Sequence, residues 1–270
     1  VVAYRTAYLK YYYPKEYMAS LLSSVMGNTT DVIKYLEECK RLGIEVLRPD
    51  INKSFRKFTT EGDGIRFGLS AIKNVGTNVI DSILKARGEV DGFTSFEDFL
   101  TKTHRVDSTA MNKKSVESLI MAGSLDSLGL NRSQMLGSYD YMLKSIQKDA
   151  KNNAQGQMGL FGLGEESSSN VQYKIPEATE LSKFMLLEGE KEMTGIYFSG
   201  HPLEEFTEEL RQSSDFSSIE MKEKVLDETD ADLRDNMFIS YAGMVSAVTK
   251  KVTKNNQMMA FIELEDLYDS

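Results

Sequence analysis

In 270 residues the sequence has one cysteine, two histidines, four prolines and no tryptophan. A lone Cys39 excludes an internal disulfide and suits a reducing compartment, so a cytoplasmic location is expected. Thiol and imidazole groups are too few to suggest a transition-metal site. No apolar run approaches the roughly 18 residues that a membrane span needs, and no membrane partner is expected. The opening Val1-Val2-Ala3-Tyr4-Arg5 lacks an initiator Met and the basic-then-apolar layout of a signal peptide; the chain is expected to be a piece of something longer. No Gly-rich phosphate loop of the P-loop type and no nucleophile–base pairing is present, so no catalytic residue is assigned.

What is there is ordinary globular material, 41% apolar and 27% charged. The net charge of −9 argues against a nucleic-acid binder, but it averages two unlike halves. Residues 1–150 carry 21 basic and 18 acidic side chains, and residues 151–270 carry 11 and 23. The excess sits in 165–235, where 7 basic residues face 19 acidic ones. Only the front half can host a polyanion.

Helical spacing dominates that half. Pro14 opens a helix with Tyr17, Leu21, Leu22 and Val25 on one face, and Gly27 is expected to cap it. Asn28 opens a second, which puts Cys39 in the core and Gly43 after the last turn. Lys57–Thr60 and Ile65–Phe67 alternate around a turn with Asp63-Gly64, a small β-hairpin. Ser95 to Asp98 resembles a capping box. Helices are expected over Lys113–Met121, with Gly123 at the end, and from Asn131 to about Asp149. Residues 151–172, rich in Gly, Asn, Gln and Ser, read as flexible linker. Helical signals resume from Glu180 to Met193 and after Pro202. Phe238–Val245 and Met259–Leu264 alternate like strands.

The sharpest local signal runs from Leu69 to Leu84. A short helix meets a second through Lys73-Asn74-Val75-Gly76-Thr77, the spacing of a helix-hairpin-helix, with Asn74 where the first Gly usually stands. Asn is the side chain that best tolerates a left-handed backbone. Such a turn can expose consecutive N–H groups at a helix N-terminus, where the dipole favours an anion such as a DNA phosphate. It can equally be an ordinary corner packed in a core. A second copy lies at Met111 to Leu128: Asn112, Lys113 and Lys114 lead into the helix, and Ala122-Gly123-Ser124-Leu125 forms the turn. Two hairpins together can grip phosphates, or can be two corners of a bundle with solvated lysines. In the linker, Gln157-Met158-Gly159-Leu160-Phe161 puts two apolar anchors in a polar stretch, either folded back or given to a partner pocket. Asp230-Ala231-Asp232 reads as a solvated acidic loop. Glu188, Glu190 and Glu192 alternate on a helix and diverge, Glu263 and Glu265 share a strand face, His201-Pro202 opens a helix, and His104 is a lone surface candidate.

Together these residues resemble the alpha subunits of bacterial DNA polymerase III, a family of C-family replicative DNA polymerases, over essentially all 270 positions. Tyr4–Lys10, Pro14–Ala19 and Glu37–Ile44 followed by Pro49–Asn52 look like the end of the family's fingers domain. Ile65–Leu69 into Lys73–Gly76 resembles its tandem helix-hairpin-helix module. Gln157–Phe161 is similar to its internal sliding-clamp motif. Gly200–Leu203 and the final strands look like the approach to an OB-fold. The resemblance implies a mainly α fold with a small β-hairpin, in five parts: the end of the fingers at 1–60, a duplex-binding module at 61–150, the linker with its clamp motif at 151–172, an acidic helical connector at 173–235, and the start of an OB-fold at 236–270.

It implies DNA contacts at Lys73, Asn74, Val75, Gly76, Thr77, Lys113, Lys114, Gly123 and Ser124, and clamp contacts at Gln157, Met158, Leu160 and Phe161. The implied partners are primer–template duplex, the sliding clamp and, through a complete OB-fold, single-stranded template. The family's catalytic aspartates are absent here, so the piece is expected to be inactive alone. Mg²⁺ is expected only in the palm of the full-length DNA-directed DNA polymerase, with no cofactor in this stretch. An incomplete barrel has open edges, so 237–270 is expected to be mobile or to pair with another copy. A non-enzymatic helix-hairpin-helix module or repair scaffold, or a pure interaction protein, remains the alternative.

Overall fold

A computed structural model describes residues 2–88, 92–154, 175–226, 234 and 236–267. The chain divides into two compact units, Val1–Ser199 and Gly200–Ser270.

The first unit begins with three helices, α1 (Val2–Tyr12), α2 (Pro14–Ser24) and α3 (Thr29–Arg41). Pro14 stands in the first turn of α2, where its missing N–H costs nothing. Asn28 caps α3 by accepting from the Thr30 and Asp31 amides, and Gly43 follows in the left-handed region (φ 69°). Gly27 does not cap α2: the helix ends at Ser24, and the Val25 amide closes it on the Leu22 carbonyl. Three short strands come next, β1 (Val46–Leu47), β2 (Thr59–Glu61) and β3 (Gly64–Arg66). β2 and β3 form the expected hairpin, but its two-residue turn is Gly62-Asp63, since Gly64 already pairs with Glu61. β1 adds to β3 in parallel, with Val46 opposite Ile65, a pairing with no sequence signal in a two-residue strand. Gly64 permits it: a Cβ there would stand 2.7 Å from the Glu45 carbonyl oxygen.

A single 3-10 turn (Leu69–Ala71) leads to α4 (Thr77–Gly88), followed by α5 (Phe96–Val106), α6 (Lys113–Met121), a second 3-10 turn (Asp126–Leu128) and α7 (Arg132–Ala154). Ser95 caps α5 by accepting from the Asp98 amide, while the Asp98 carboxylate reaches back to the Thr94 amide. Asn131 and Gln134 cap α7 reciprocally, each side chain accepting from the other's backbone N–H. α7 runs past Asp149, where the apolar period of the sequence lapses, to Ala154. After the undescribed 155–174, which holds all of Gln157–Phe161, the chain returns to the same unit. Ala178 and Pro176 carbonyls accept from Asn131 and Gln134, and the Glu180 carboxylate accepts from the Arg132 and Ser133 amides. α8 (Lys183–Thr194) completes the unit.

One core runs from Met18 in α2 to Met193 in α8. At its centre Phe58 and Phe67 meet edge to face at 4.8 Å, and Phe67 meets Phe198 at 5.5 Å. Each fully buried side chain of this size contributes about 1.5–3 kcal/mol. Cys39 is wholly buried in it. His104 is buried too, not a surface residue, and burial pulls its pKa down.

The second unit has a 3-10 turn at Glu204–Phe206, then α9 (Thr207–Ser213), α10 (Ser218–Leu226) and an antiparallel pair, β4 (Met244–Val252) and β5 (Met258–Glu265). The expected strand over 238–245 forms only from Met244. Upstream, Ser240 instead exchanges hydrogen bonds with Asp215, and the Ala242 amide donates to Ser214, which takes this backbone out of the ladder. Among the described residues the unit's sheet has two strands, β4 and β5. Asp266 caps α10 through the Ser218 amide and hydroxyl, both at 2.7 Å. His201 accepts from the Leu203 amide through Nδ1, which suits its reading as a helix opener. Glu263 and Glu265 part company, Glu265 buried and Glu263 exposed. Asp230 and Asp232 lie outside the described residues. The whole is mainly α, with a helix-hairpin-helix region and two small sheets.

Candidate nucleic-acid interface

The first hairpin turn is built from its apolar ends inward. Ile72 and Val75 are buried, which pins the turn to the core, while Lys73, Asn74, Gly76 and Thr77 face solvent. Asn74 is left-handed at φ 63°, as its place in the motif predicts. The Lys73 amide donates to the Met193 carbonyl at 2.9 Å, and the Val75 amide turns back to Ile72. Gly76 gives its carbonyl to Ile80, the first helical bond into α4. The amides of Gly76, Thr77 and Asn78 then have no acceptor among the described residues. No atom lies within 4 Å of where a Gly76 Cβ would stand, and α4 has no acid in its first turn. Three outward donors at the positive end of a helix dipole form an opening for an anion. Lys73, exposed in the same turn, has no ion-pair partner among the described residues.

The second hairpin shares the outline and differs in substance. Asn112 caps α6 by accepting from the Ser115 amide, so Lys113 and Lys114 lie in its exposed first turn. Lys113 sits 3.7 Å from Glu117 and 3.6 Å from Asp140, and Lys114 has no ion-pair partner among the described residues. Gly123 and Ser124 are buried. Their amides go to the Ile120 and Leu119 carbonyls, and the Ser124 carbonyl accepts from the Ile51 amide at 2.8 Å. The missing Gly123 Cβ leaves room for the Arg132 guanidinium. The structure therefore buries Gly123 and Ser124 with their amides bonded inside the fold and leaves Lys113 and Lys114 on the surface. Hydrogen bonds from Ser115 to the Asn74 carbonyl and from Asn74 to Ser118 join α6 to the first turn, bringing Lys73, Lys113 and Lys114 to neighbouring elements.

Beneath the second hairpin lies an ion cluster that sequence spacing did not single out. Arg132, its side chain 4% exposed, donates to Asp126 and, at 2.8 Å, to Glu190, whose side chain is 1% exposed. Glu190 also accepts from the Ser199 hydroxyl and the Phe198 and Ser199 amides. Burial pushes the Glu190 carboxyl up, but these donors outweigh it and hold it below the ordinary value. Burial likewise opposes the Arg132 charge, and Asp126 and Glu190 raise its pKa in spite of it. A signal existed in the sequence. Glu190 lies three residues from both Leu187 and Met193, so it sits on the inward face, apart from Glu188 and Glu192. Among the described residues no group of three or more His, Cys, Asp or Glu is arranged to hold a metal, and no helix is long and apolar enough to cross a membrane.

The helix-hairpin-helix motif model matches residues 43–135, a stretch that covers both turns. The whole chain is 41% identical to a DNA polymerase III subunit alpha of Saccharopolyspora erythraea, over 99% of this chain and 22% of that protein. Its counterparts from Borreliella burgdorferi and Vibrio cholerae are 38% and 34% identical, each over 98% of this chain and 22% of their own length. The chain belongs to the DNA polymerase III alpha-subunit family and spans about a fifth of the length of these relatives.

Proposed function

We propose that this chain is the duplex-holding and clamp-tethering part of a replicative DNA polymerase in the cytoplasm. The observation that carries the reading is the open N-terminus of α4, with the Gly76, Thr77 and Asn78 amides unpaired beside Lys73. A backbone phosphate of the product duplex docks on these amides. Lys73, Lys113 and Lys114 add positive charge, and no base is read. Gly123 and Ser124 serve the fold beneath the second hairpin rather than the DNA.

Gln157–Phe161 docks in a sliding clamp as a short linear peptide, with Leu160 and Phe161 as the buried anchors, Gln157 setting the register and Met158 a filler. The described chain on either side of that motif is held on one unit, α7 before it and the Pro176–Glu180 contacts after it, which suits a tether. The strands of the second unit are read as the start of an OB-fold that meets single-stranded template. Nucleotidyl transfer, with its Mg²⁺, belongs to the rest of the polymerase. The test titrates a fluorescent duplex and a sliding clamp against the wild-type chain and a Leu160→Ala/Phe161→Ala variant. The expected result is duplex binding unchanged and micromolar clamp binding lost. Clamp binding that survives the double change defeats the tether. No duplex binding by the wild type defeats the DNA reading.

A further inference from the structure

We infer that Ser115 and Ser118, on the second hairpin, are positioning residues for the phosphate-facing turn of the first. The inference rests on the duplex-binding reading and names what keeps that site in shape. Both serines are nearly closed to solvent, 2% and 4% exposed, so neither can touch a duplex. The other two buried serines that lie within helices of this unit satisfy their hydroxyls inside their own helix: Ser82 donates to the Asn78 carbonyl at 2.8 Å and Ser138 to the Gln134 carbonyl at 2.7 Å. Ser115 and Ser118 reach out of α6 instead. The Ser115 hydroxyl donates to the Asn74 carbonyl at 2.8 Å, and the Ser118 hydroxyl accepts from the Asn74 side-chain amide at 3.3 Å. One residue earlier, the Lys73 amide is held by the Met193 carbonyl of α8.

The residue so gripped is the one that most needs it. Asn74 sits at φ 63°, a conformation that still costs a residue with a Cβ although Asn tolerates it better than most, so partners that hold it there matter. The orientation of its peptide sets where the following Gly76, Thr77 and Asn78 amides point. Without the two serines the turn can relax, and the three donors lose their common direction before DNA arrives.

The experiment measures anisotropy of a labelled duplex with the 270-residue chain at several salt concentrations. Ser115→Ala/Ser118→Ala is expected to bind roughly fivefold more weakly, the scale of one lost neutral hydrogen bond. Its salt slope is expected to match wild type, because no cation is removed. Adding Asn74→Gly is expected to recover at least half of the loss, since glycine enters the left-handed region freely. Ser138→Ala, equally buried, is the control and should bind like wild type. Wild-type affinity in the double variant overturns the inference. So does a loss that Asn74→Gly leaves untouched, which would make the serines mere packing. If the double variant fails to melt cooperatively, Ser118→Ala alone, expected to lose about twofold, carries the same rescue test. Lys73→Ala separates the two levels. If it leaves binding unchanged, the DNA reading falls. If it weakens binding while the serine variants do not, only this inference falls.

Discussion

The two hairpin turns share a local outline and meet opposite fates. Each has one left-handed residue, Asn74 at φ 63° and Gly123 at φ 73°, and each is pinned by a buried apolar side chain, Val75 and Leu125. Past Gly76 there is open space, whereas against Gly123 lies the Arg132 guanidinium. A missing Cβ thus leaves a helix terminus bare in one turn, at the glycine two residues after the left-handed one, and admits a buried cation in the other, at the left-handed glycine itself. A hairpin signature says how the chain bends. What lands on the bend decides whether its amides serve the fold or a ligand.

The contrast can be broken most severely at its buried side. Glu190→Ala leaves the Arg132 charge without its deepest partner and is expected to destabilise the first unit by about 3–5 kcal/mol in urea unfolding. A midpoint within experimental scatter of wild type would mean that the cluster is solvated. Next comes the glycine pair. Gly123→Ala forces a Cβ into the left-handed region and into Arg132, and is expected to cost about 2 kcal/mol. Gly76→Ala, with open space and no positive φ, is expected to stay within about 0.5 kcal/mol. Equal losses at both positions would erase the distinction between the turns.

Acid separates them further. The Glu190 pKa is lower folded than unfolded, so its contribution is fully present above the ordinary carboxylate range and is lost as pH falls through the lowered value. Wild-type stability is therefore expected to drop below about pH 4.3, with Glu190→Gln showing a flatter profile over the same range. Parallel profiles would assign the acid sensitivity to other groups. The smallest change in stability belongs to Lys73→Ala, expected within about 0.5 kcal/mol for an exposed side chain. Its duplex affinity should nonetheless fall about fivefold on every sequence tested, with the salt slope reduced by about one ion. Losses that differ between sequences would point to base readout instead.

Much of the first unit was legible in advance because its signals are local. The Asn28, Ser95, Asn112 and Asn131 caps each need only a side chain and an amide two or three residues on. The left-handed Asn74 follows from the motif's backbone geometry and the tolerance of Asn. The Gly27 cap and the Asp63-Gly64 turn give way to partners only three residues apart, Val25 on Leu22 and Gly64 on Glu61, whereas the 238–243 strand gives way to a partner elsewhere. Ser240 is the clearest case, its backbone bonded to Asp215, 25 residues away.

The sequence by itself determined where helices begin, where the chain reverses and which faces are apolar, because helix periodicity and caps act within a few residues. Only the tertiary structure decided which of two similar turns stays open. That choice depends on Ser115, Ser118 and Met193 gripping one turn, and on Arg132 and Glu190 filling the space behind the other. These partners lie 41 to 120 residues from the turn they grip and 58 residues apart in the ion pair. No local period links them; folding alone brings a hydroxyl to a strained peptide and a carboxylate to a buried guanidinium.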